Sequence, residues 1–372
     1  MKIAVIGGVP QSLVGFRGEL IKAMRELGHE VYGLAGGEEQ RFTDALAKNG
    51  VQFVSYPIKR VGLNPFFDLS TLFFLYRWLR KNKIDCVFSY TAKPIIWGGL
   101  ATRLAGVKHF HAMVTGLGRQ FNYGTFRERK VSALIERLYY HALKCADSVI
   151  FQNADDQQFF IDKKIVPATL THRVNGSGVD LKQYAFSEAP QNPMVFLTVG
   201  RLLVEKGFRE YTAAASLVYK KHPDVKFQIA GIRENGPGAI PNAEIEAWSS
   251  QENIDYLGQV DNAVAVLSNC SVFVLATYLR EGLPRTILEA MSVGRPIITT
   301  DNVGCRDAVH HDDNGLLVPA RNIEALAEAM IYIIENPTAH LRMAKRARIL
   351  AEERYDVNKV NEQMLNIMQL TS

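Results

Sequence analysis

Short apolar runs rich in β-branched residues alternate with longer amphipathic stretches along the first half of the chain, and this alternation limits the fold more than any other feature. Such runs are typical of buried parallel strands, whereas the stretches between them have helical spacing. The predicted strands are residues 2–6, 30–34, 51–56, 85–90, 108–114, 147–152 and 169–174. The predicted helices are residues 12–27, 38–49, 68–83, 94–105, 126–144 and 155–163. A strand that is followed each time by a helix predicts a parallel, doubly wound α/β sheet.

The same alternation starts again after residues 187–193, a polar stretch with prolines that is typical of a linker. Its predicted strands are residues 194–199, 225–230, 254–257, 271–275 and 296–299. Its predicted helices are residues 208–221, 243–250, 262–269, 286–293 and 323–334. A length of 372 residues suits two domains with separate cores. We therefore expect two Rossmann-like domains, 1–187 and 188–355, that face a central cleft, and a C-terminal helix in 356–372 that crosses back to the first domain.

Two glutamates, Glu281 and Glu289, bracket seven residues that follow an apolar run at 270–276. The run predicts a strand, so the loop after it lies at the carboxyl end of a parallel sheet, where such sheets bind ligands. Pro284 suits the first turn of a helix, which leaves Glu281 in the loop and puts Glu289 inside the helix. Gly282 permits close backbone approach, and the apolar surroundings of Glu289 call for a partner such as a sugar or ribose hydroxyl. The alternative is a surface loop acid and an unrelated acid on a helix face.

A basic loop follows the first predicted strand of the second domain. Gly200 and Gly207 relieve backbone crowding there, and Arg201 and Lys206 place two cations near the start of a helix. Helix N-termini already favour anions, so the loop is a candidate cradle for a diphosphate. The alternative, that both cations are solvated loop charges, loses support because the Glu281 loop is expected beside them in the same sheet.

Other kinds of site find less support in the sequence. The four cysteines show no C-x-x-C spacing, which speaks against a zinc site or a disulfide framework. The pairs Asp155-Asp156 and Asp312-Asp313 are interpreted as helix-start and turn acids rather than metal ligands. No run of about 20 apolar residues predicts a membrane span.

Several motifs taken together resemble the family-four retaining glycosyltransferases, which have the GT-B fold. They are the Arg201 and Lys206 loop, the Glu281 and Glu289 pair, Gly294-Arg295-Pro296, residues 314–319 and residues 175–180 at the domain junction. Three further motifs are similar to bacterial enzymes that extend sugars linked to polyprenyl diphosphate in O-antigen, capsule and glycoprotein pathways. They are residues 62–65, Thr115-Gly116-Leu117-Gly118, and residues 281–285 with Gly304-Cys305-Arg306.

The resemblance implies a role for each matching residue. Arg201 and Lys206 would hold the diphosphate of the donor and stabilise the charge of the leaving group, and Glu281 would contact the transferred sugar; these three are the expected catalytic residues. Glu289 would bind the nucleotide ribose. The remaining expected donor contacts come largely from backbone and are Gly7, Gly8, Gly200, Gly282, Leu283 and Pro284. Because preplaced cations can stabilise the departing phosphate, such a site requires no metal or other cofactor.

One position departs from the family pattern. Many relatives carry a histidine after the fifth strand, where this chain has Thr115 and Gly116. His111 lies upstream within the predicted strand, and it is a candidate with Thr115 and Gly116 for a sugar or acceptor pocket. The alternative is that His111 is a core residue, which is the commoner role of a histidine in a strand.

The basic surface lies in the first half of the chain. Residues 1–174 carry 24 Lys and Arg against 14 Asp and Glu, a charge of +10, and the remainder carries −5. Residues 64–83 and 121–130 combine aromatic with basic side chains, which suits attachment to anionic lipid. The alternatives are a core helix for the first segment and a mobile acceptor loop for the second.

We therefore expect a cytoplasmic, membrane-peripheral retaining transferase that moves a hexose or N-acetylhexosamine from a UDP-sugar to a polyprenyl-diphosphate-linked saccharide. A UDP-sugar 2-epimerase of the same fold is the closest alternative. An NAD-dependent oxidoreductase is more remote, because the loop at Gly7 and Gly8 is not G-x-G-x-x-G and no acid ends the second strand. Only the basic half suggests nucleic acid, which we do not expect as a partner.

Overall fold

The computed structural model describes residues 1–37, 39–59, 62, 64–121, 125–236 and 238–371, and for Arg119, Gln120 and Arg127 the backbone alone. These residues form two compact units. The first comprises Met1–Ser177 and Asn358–Ser372, and the second comprises Gly178–Val357. Leu63 of the 62–65 motif and residues 122–124 of the expected acceptor loop lie outside the described residues.

The first unit contains a parallel sheet of seven strands in the order β3-β2-β1-β4-β5-β6-β7. The strands are β1 (Lys2–Ile6), β2 (Glu30–Ala35), β3 (Gln52–Ser55), β4 (Cys86–Tyr90), β5 (His109–Val114), β6 (Ser148–Phe151) and β7 (Thr171–Arg173). The helices are α1 (Pro10–Gly15), α2 (Gly18–Glu26), α3 (Gln40–Lys48), α4 (Pro65–Asn82), α5 (Ala92–Ala105), α6 (Phe126–Leu143) and α7 (Ala154–Asp162). The strand order reverses between β1 and β4, so ligands are expected at the carboxyl ends of these two strands.

The second unit contains a parallel sheet of six strands in the order β10-β9-β8-β11-β12-β13. The strands are β8 (Val195–Arg201), β9 (Lys226–Ile232), β10 (Ile254–Gly258), β11 (Val272–Leu275), β12 (Ile297–Thr300) and β13 (Gly315–Val318). The helices are α8 (Phe208–Tyr219), α9 (Asn242–Ser249), α10 (Ala263–Ser268), α11 (Arg285–Ser292), α12 (Cys305–Ala308), α13 (Ile323–Glu335) and α14 (Pro337–Leu350). Its order reverses between β8 and β11, and this reversal is the equivalent ligand position. The prediction of two parallel α/β domains is confirmed.

The last helix, α15 (Val357–Ile367), supplies core residues to the first unit. Val360, Met364 and Met368 are buried in one cluster with Ile3 and Val5 of β1. This cluster covers one face of the first sheet, while a second cluster with Ala4, Ile6 and Phe110 covers the other. Alternate residues of β1 therefore point to opposite faces, as strand geometry requires.

The chain passes from the first unit to the second between Ser177 and Gly178, whereas the sequence pattern predicts a boundary after residue 187. Val179 and Tyr184 are buried in the core of the second unit. The buried guanidinium of Arg295 also holds this segment, because it donates to the carbonyl and hydroxyl oxygens of Ser187 at 2.7 and 2.5 Å. Residues 178–187 therefore pack with the second sheet.

Four elements differ from the sequence prediction. The single helix predicted over 12–27 is divided into α1 and α2 at Phe16 and Arg17, between two glycines, which are poor helix formers. The short strand β13 and the helices α12 and α14 were not predicted. Four residues of β13 give too short a pattern to identify a strand by periodicity alone.

Candidate active site

The loop after β8 reaches the end of β11 because Gly207 has no side chain. Gly207 has φ of 78°, and a Cβ at this position would overlap the carbonyl oxygen of Ala276. The backbone N–H groups of Tyr278 and Leu279 donate to the Glu205 carbonyl at 2.9 and 3.2 Å. The two loops at the reversal of the second sheet are therefore joined through their backbones.

An ion pair joins the side chains of the same two loops. Nζ of Lys206 lies 2.8 and 2.7 Å from the two carboxylate oxygens of Glu281. The side chains are only 11% and 18% exposed, so solvent screens the pair weakly. The hydroxyl of Thr277 lies 3.2 Å from Oε1 of Glu281 and 3.0 Å from the Glu205 carbonyl oxygen. Sequence reasoning brought Lys206 and Glu281 to neighbouring loops but missed Thr277, which no motif marks.

A third loop, after β12, closes against the Glu281 loop. Gly304 has φ of 82°, and a Cβ there would overlap the Gly282 carbonyl oxygen and lie 2.8 Å from that of Glu281. Nδ2 of Asn302 donates to the Leu279 carbonyl at 2.9 Å. These contacts hold the backbone of residues 279–282 against the loop after β12.

Cys305 begins the short helix after this loop and is fully buried. Burial, and to a lesser extent the charge of Glu281, raises the pKa of the Cys305 thiol to about 12. The thiol is protonated at neutral pH and is therefore a poor nucleophile.

Arg201 ends β8 and is held less tightly than Lys206. Its Nη1 lies 3.4 Å from Oε1 of Glu234, which follows β9, and the arginine side chain is 47% exposed. Exposed ion pairs of this kind contribute about 0–1 kcal/mol, so an anionic ligand can replace Glu234 at small cost. The loop that carries Glu234 is itself fixed, because Val204 N–H donates to the Gly238 carbonyl and Ile240 N–H to the Leu202 carbonyl.

Glu289 lies in the second turn of α11, while Glu281 lies in the loop before it, as the sequence predicted. Pro284 is the N-cap residue of this helix. Nε of Arg285 donates to Oε1 of Glu289 at 2.9 Å. Burial raises the pKa of Glu289, and the positive charge of Arg285 opposes the rise. Sequence reasoning did not identify Arg285 as the partner of Glu289.

The second unit thus assembles most of the expected site residues around one strand-order reversal. Gly200 lies at the end of β8, and Gly282 and Pro284 lie between the two glutamates. Leu283 differs, because its side chain is buried in the core. A ligand contact from Leu283 would therefore come from its backbone.

In the first unit, Gly7 and Gly8 follow β1 at the reversal between β1 and β4. A Cβ on Gly7 would overlap the hydroxyl of Tyr90, and the Tyr56 hydroxyl donates to the Gly7 carbonyl at 2.9 Å. The Tyr90 hydroxyl also lies 2.8 Å from that of Ser12. Tyr56, Tyr90 and Ser12 were not predicted, since each belongs to a separate segment of the chain.

Thr115 and Gly116 directly follow β5, at the same edge of the first sheet, but His111 does not reach that edge. His111 is 2% exposed, and its Nδ1 lies 2.8 Å from the Ser148 hydroxyl at the start of β6. Burial lowers the pKa of His111 to about 4, so the ring is neutral at physiological pH. The structure favours the alternative that His111 is a core residue.

Comparison with known proteins agrees with this geometry. A model described as Glycosyltransferase Family 4 matches residues 18–183, and one described as Glycosyl transferases group 1 matches residues 181–350. The chain belongs to the family-four glycosyltransferases.

Two curated relatives of this glycosyltransferase act on lipid-linked sugars according to their names. The Campylobacter jejuni N,N'-diacetylbacillosaminyl-diphospho-undecaprenol alpha-1,3-N-acetylgalactosaminyltransferase is 28% identical in an alignment 381 positions long, which covers 99% of this chain and 98% of that protein. The Escherichia coli UDP-Gal:alpha-D-GlcNAc-diphosphoundecaprenol alpha-1,3-galactosyltransferase is 28% identical in an alignment 294 positions long, which covers 76% of this chain and 74% of that protein. Both relatives are transferases, which disfavours the epimerase alternative.

The crystal structure of Anabaena HepE in complex with UDP shares the fold of this glycosyltransferase. The TM-score is 0.79 at 18% identity, and the match covers 99% of this chain and 100% of that one. The GT-B prediction, with two Rossmann-like domains, is confirmed.

Two further observations concern metals and membranes. In the described part of this glycosyltransferase, no group of three or more His, Cys, Asp or Glu side chains is placed to hold a metal ion. No helix among the described residues has both the length and the apolar character needed to span a bilayer. Independence from metals stays a prediction.

Proposed function

We propose that this glycosyltransferase moves a hexose or N-acetylhexosamine from a UDP-sugar to a saccharide carried on polyprenyl diphosphate, with retention of anomeric configuration. The observation that carries the proposal is the Lys206–Glu281 ion pair beside Arg201, at the strand-order reversal of the second sheet. Cations suit the diphosphate of the donor, and a fixed carboxylate suits the hydroxyls of its sugar. The names of the two relatives support the lipid-linked acceptor.

In the proposed reaction, the bond between the sugar and the diphosphate breaks, and negative charge develops on the departing phosphate. Lys206 has three N–H donors, so it can bind a phosphate oxygen while it keeps Glu281 in place. Arg201 exchanges Glu234 for a second phosphate oxygen. Because both cations are in position before the bond breaks, they stabilise the transition state more than the bound substrate.

The acceptor hydroxyl then attacks from the face that the diphosphate leaves, and the departing phosphate takes its proton. Glu281 accepts hydrogen bonds from the sugar, and Glu289 accepts them from the ribose. Gly7 and Gly8 are proposed to contribute backbone N–H groups to the diphosphate, and Thr115 and Gly116 to line the acceptor pocket. The chain's own cations take the part that a metal plays in other transferases, so no metal is required.

We further propose that α4 attaches the enzyme peripherally to anionic lipid at the inner face of the cell membrane. One face of α4 is in the core, through Leu75 and Leu79. Phe66 and Phe73 are 86% and 59% exposed on the same helix. The last two turns and the residue after them carry four cations, Arg77, Arg80, Lys81 and Lys83. Exposed aromatic side chains and cations on one helix suit a negatively charged bilayer surface.

The transfer is tested with a panel of UDP-sugars and a purified polyprenyl-diphosphate-linked saccharide, by measuring UDP release and lipid-linked product. We expect one donor to release UDP only in the presence of the acceptor, and proton NMR to show the donor's anomeric configuration in the product. Conversion of UDP-N-acetylglucosamine without acceptor would instead identify an epimerase. An inverted product would contradict retention.

Lipid attachment is tested by sedimentation with phosphatidylglycerol vesicles and, separately, with neutral phosphatidylcholine vesicles. We expect Phe66→Ser with Phe73→Ser to reduce binding to the anionic vesicles severalfold. The control is Leu217→Ser, which removes an exposed apolar side chain from α8 of the second unit. Equal binding of the double variant and the Leu217→Ser control to the anionic vesicles would contradict attachment through α4.

A further inference from the structure

Thr277 lies two residues after β11, in the loop that carries Glu281, and its side chain is fully buried. Its hydroxyl lies 3.2 Å from Oε1 of Glu281 and 3.0 Å from the Glu205 carbonyl oxygen. The backbone N–H of Leu279 donates to the same hydroxyl at 3.2 Å. A threonine hydroxyl has a single proton, so the Glu281 carboxylate and the Glu205 carbonyl compete for it.

The Glu205 carbonyl has other donors. It accepts from the backbone N–H groups of Tyr278 at 2.9 Å and Leu279 at 3.2 Å, and a carbonyl oxygen has two lone pairs. The competing acceptor, Glu281, is the charged partner of Lys206, and hydrogen bonds to charged acceptors are about twice as strong as neutral ones. The proton of Thr277 is therefore directed to Oε1 of Glu281.

The backbone of Thr277 is itself held on two sides. The hydroxyl of Thr300, at the end of β12, donates to the Thr277 carbonyl. The carbonyl of the preceding residue, Ala276, lies where a Cβ of Gly207 would be, so the loop after β8 packs directly against this backbone. A side chain that orients a functional group must be fixed in this way.

We infer that Thr277 is a positioning residue for sugar transfer, whose hydroxyl fixes Oε1 of Glu281 so that the carboxylate meets the transferred sugar in one orientation. This inference rests on the proposed function, in which Glu281 accepts hydrogen bonds from that sugar. Nζ of Lys206 lies almost equally far from both oxygens of Glu281, and a compact ammonium acts as a point charge. Lys206 therefore sets the distance of the carboxylate, and Thr277, which contacts one oxygen only, restrains its rotation.

The length of the contact indicates when the hydroxyl acts. A strong O–H···O bond measures about 2.5–3.0 Å, so the 3.2 Å between Thr277 and Oε1 is long. Catalytic hydrogen bonds are often long without substrate and shorten in the complex. UDP alone carries no sugar for Glu281 to contact. The hydroxyl of Thr277 should therefore affect the rate of transfer and leave the affinity for UDP unchanged.

The experiment measures kcat for transfer with saturating UDP-sugar and acceptor, and the Kd for UDP by calorimetry. Thr277→Val keeps the shape of the side chain and removes the hydroxyl. Its kcat should fall roughly tenfold, as expected when a hydrogen bond to a charged group is lost, while the Kd for UDP should not change. Thr277→Ser keeps the hydroxyl and should retain most of the kcat. An unchanged kcat in Thr277→Val, or a parallel loss of UDP affinity, would overturn the inference.

Thr299→Val is the matched control. Thr299 belongs to β12 and is also fully buried, and its hydroxyl donates to the Leu275 carbonyl at 2.7 Å. The same substitution there should lower stability but leave the kcat of the folded fraction near that of the wild type. A comparable fall of kcat in Thr299→Val would mean that the loss of any buried hydroxyl near these strand ends slows transfer, which would contradict a specific role of Thr277.

Glu281→Ala separates the inference from the proposed function. If Glu281→Ala transfers sugar as fast as the wild type, the proposed role of Glu281 is wrong. If Glu281→Ala is slow and Thr277→Val is not, the positioning inference alone is wrong. The double variant should be no slower than Glu281→Ala, because Thr277 acts through Glu281, and additive losses would contradict this. Thr277→Ala removes the same hydroxyl and serves in place of Thr277→Val if that variant does not fold.

Discussion

The two sheets reverse their strand order in the same way, yet different chemistry occupies the two reversals. In the second unit, ion pairs surround the position: Lys206 with Glu281, and Arg201 with Glu234. In the first unit, hydroxyls of tyrosine and serine lie at Gly7, and the guanidinium of Arg17 lies over the Tyr90 ring, 5.1 Å from its centroid. One topology therefore places cation–carboxylate pairs at one reversal, and at the other it places hydroxyls with an arginine over an aromatic ring. The side chains at the strand ends decide what each Rossmann-like domain binds.

The largest expected effect tests whether the charges of the second unit serve catalysis. Lys206→Met should reduce kcat/KM for transfer by about 10²–10³-fold, because a preplaced cation is lost from the leaving group. Steady-state kinetics with saturating acceptor measures this loss.

The matched substitution in the first unit is Lys93→Met. Lys93 forms a similarly buried ion pair at 2.7 Å with Asp68, and this pair joins α5 to α4. Breaking it should lower the free energy of unfolding by roughly 3–5 kcal/mol. The kcat/KM of the folded fraction of Lys93→Met should fall much less than that of Lys206→Met. Similar losses of kcat/KM in both variants would contradict the conclusion that the charges of the second unit serve catalysis.

A second prediction concerns the joined loops of the second unit. Gly207→Ala should destabilise the protein by roughly 2–5 kcal/mol, because it combines a left-handed backbone with overlap at the rigid Ala276 carbonyl. Gly37 is the control, since it has φ of 86° with no atom within 4 Å of an added Cβ. The midpoint of thermal unfolding should fall clearly less for Gly37→Ala than for Gly207→Ala. Equal decreases would mean that backbone strain alone explains the destabilisation of both variants.

The third prediction tests the neutral character of the first core. Burial lowers the pKa of His111 to about 4 from an ordinary value of 6.5. Between pH 4 and pH 6.5 the unfolded chain therefore binds a proton at this residue that the folded chain does not. Stability should therefore fall as the pH drops from 6.5 to 4, by roughly 3 kcal/mol in total. His111→Gln should remove this part of the pH dependence in denaturant titrations. The control, His310→Gln, replaces a half-exposed ring in the second unit. Its stability should still fall with pH as that of the wild type does.

The smallest expected effect belongs to the hydroxyls around Gly7. Tyr56→Phe removes the donor to the Gly7 carbonyl and should cost about 1 kcal/mol of stability. UDP affinity should change less than in Glu289→Ala, as calorimetry can show. An equal loss of UDP affinity in Tyr56→Phe and Glu289→Ala would mean that the first reversal contributes as much to nucleotide binding as the second.

The sequence was sufficient for features that depend on nearby residues. Apolar runs located most strands, and Pro284 placed Glu281 in a loop and Glu289 in a helix, because each signal lies within a few residues of its effect. The packing against α11 could not be predicted, since Tyr184 is more than 100 positions away and only the folded chain lets Arg348 donate to the carbonyls of both Tyr184 and Ser292. The role of His111 was equally ambiguous. Strand periodicity does not show whether a side chain lies in the core or at the end of the strand where ligands bind, and His111 contacts Ser148 in the core.

The helix α15 has a consequence for how this protein is made in the cell. Val360, Met364 and Met368 cover the apolar face beside Ile3 and Val5, yet they leave the ribosome only after the whole second unit has been synthesised. The second unit can complete its core first, while the first waits with part of its sheet uncovered. Nascent chains should therefore need protection of that face, for example by a chaperone, until the final helix has been translated.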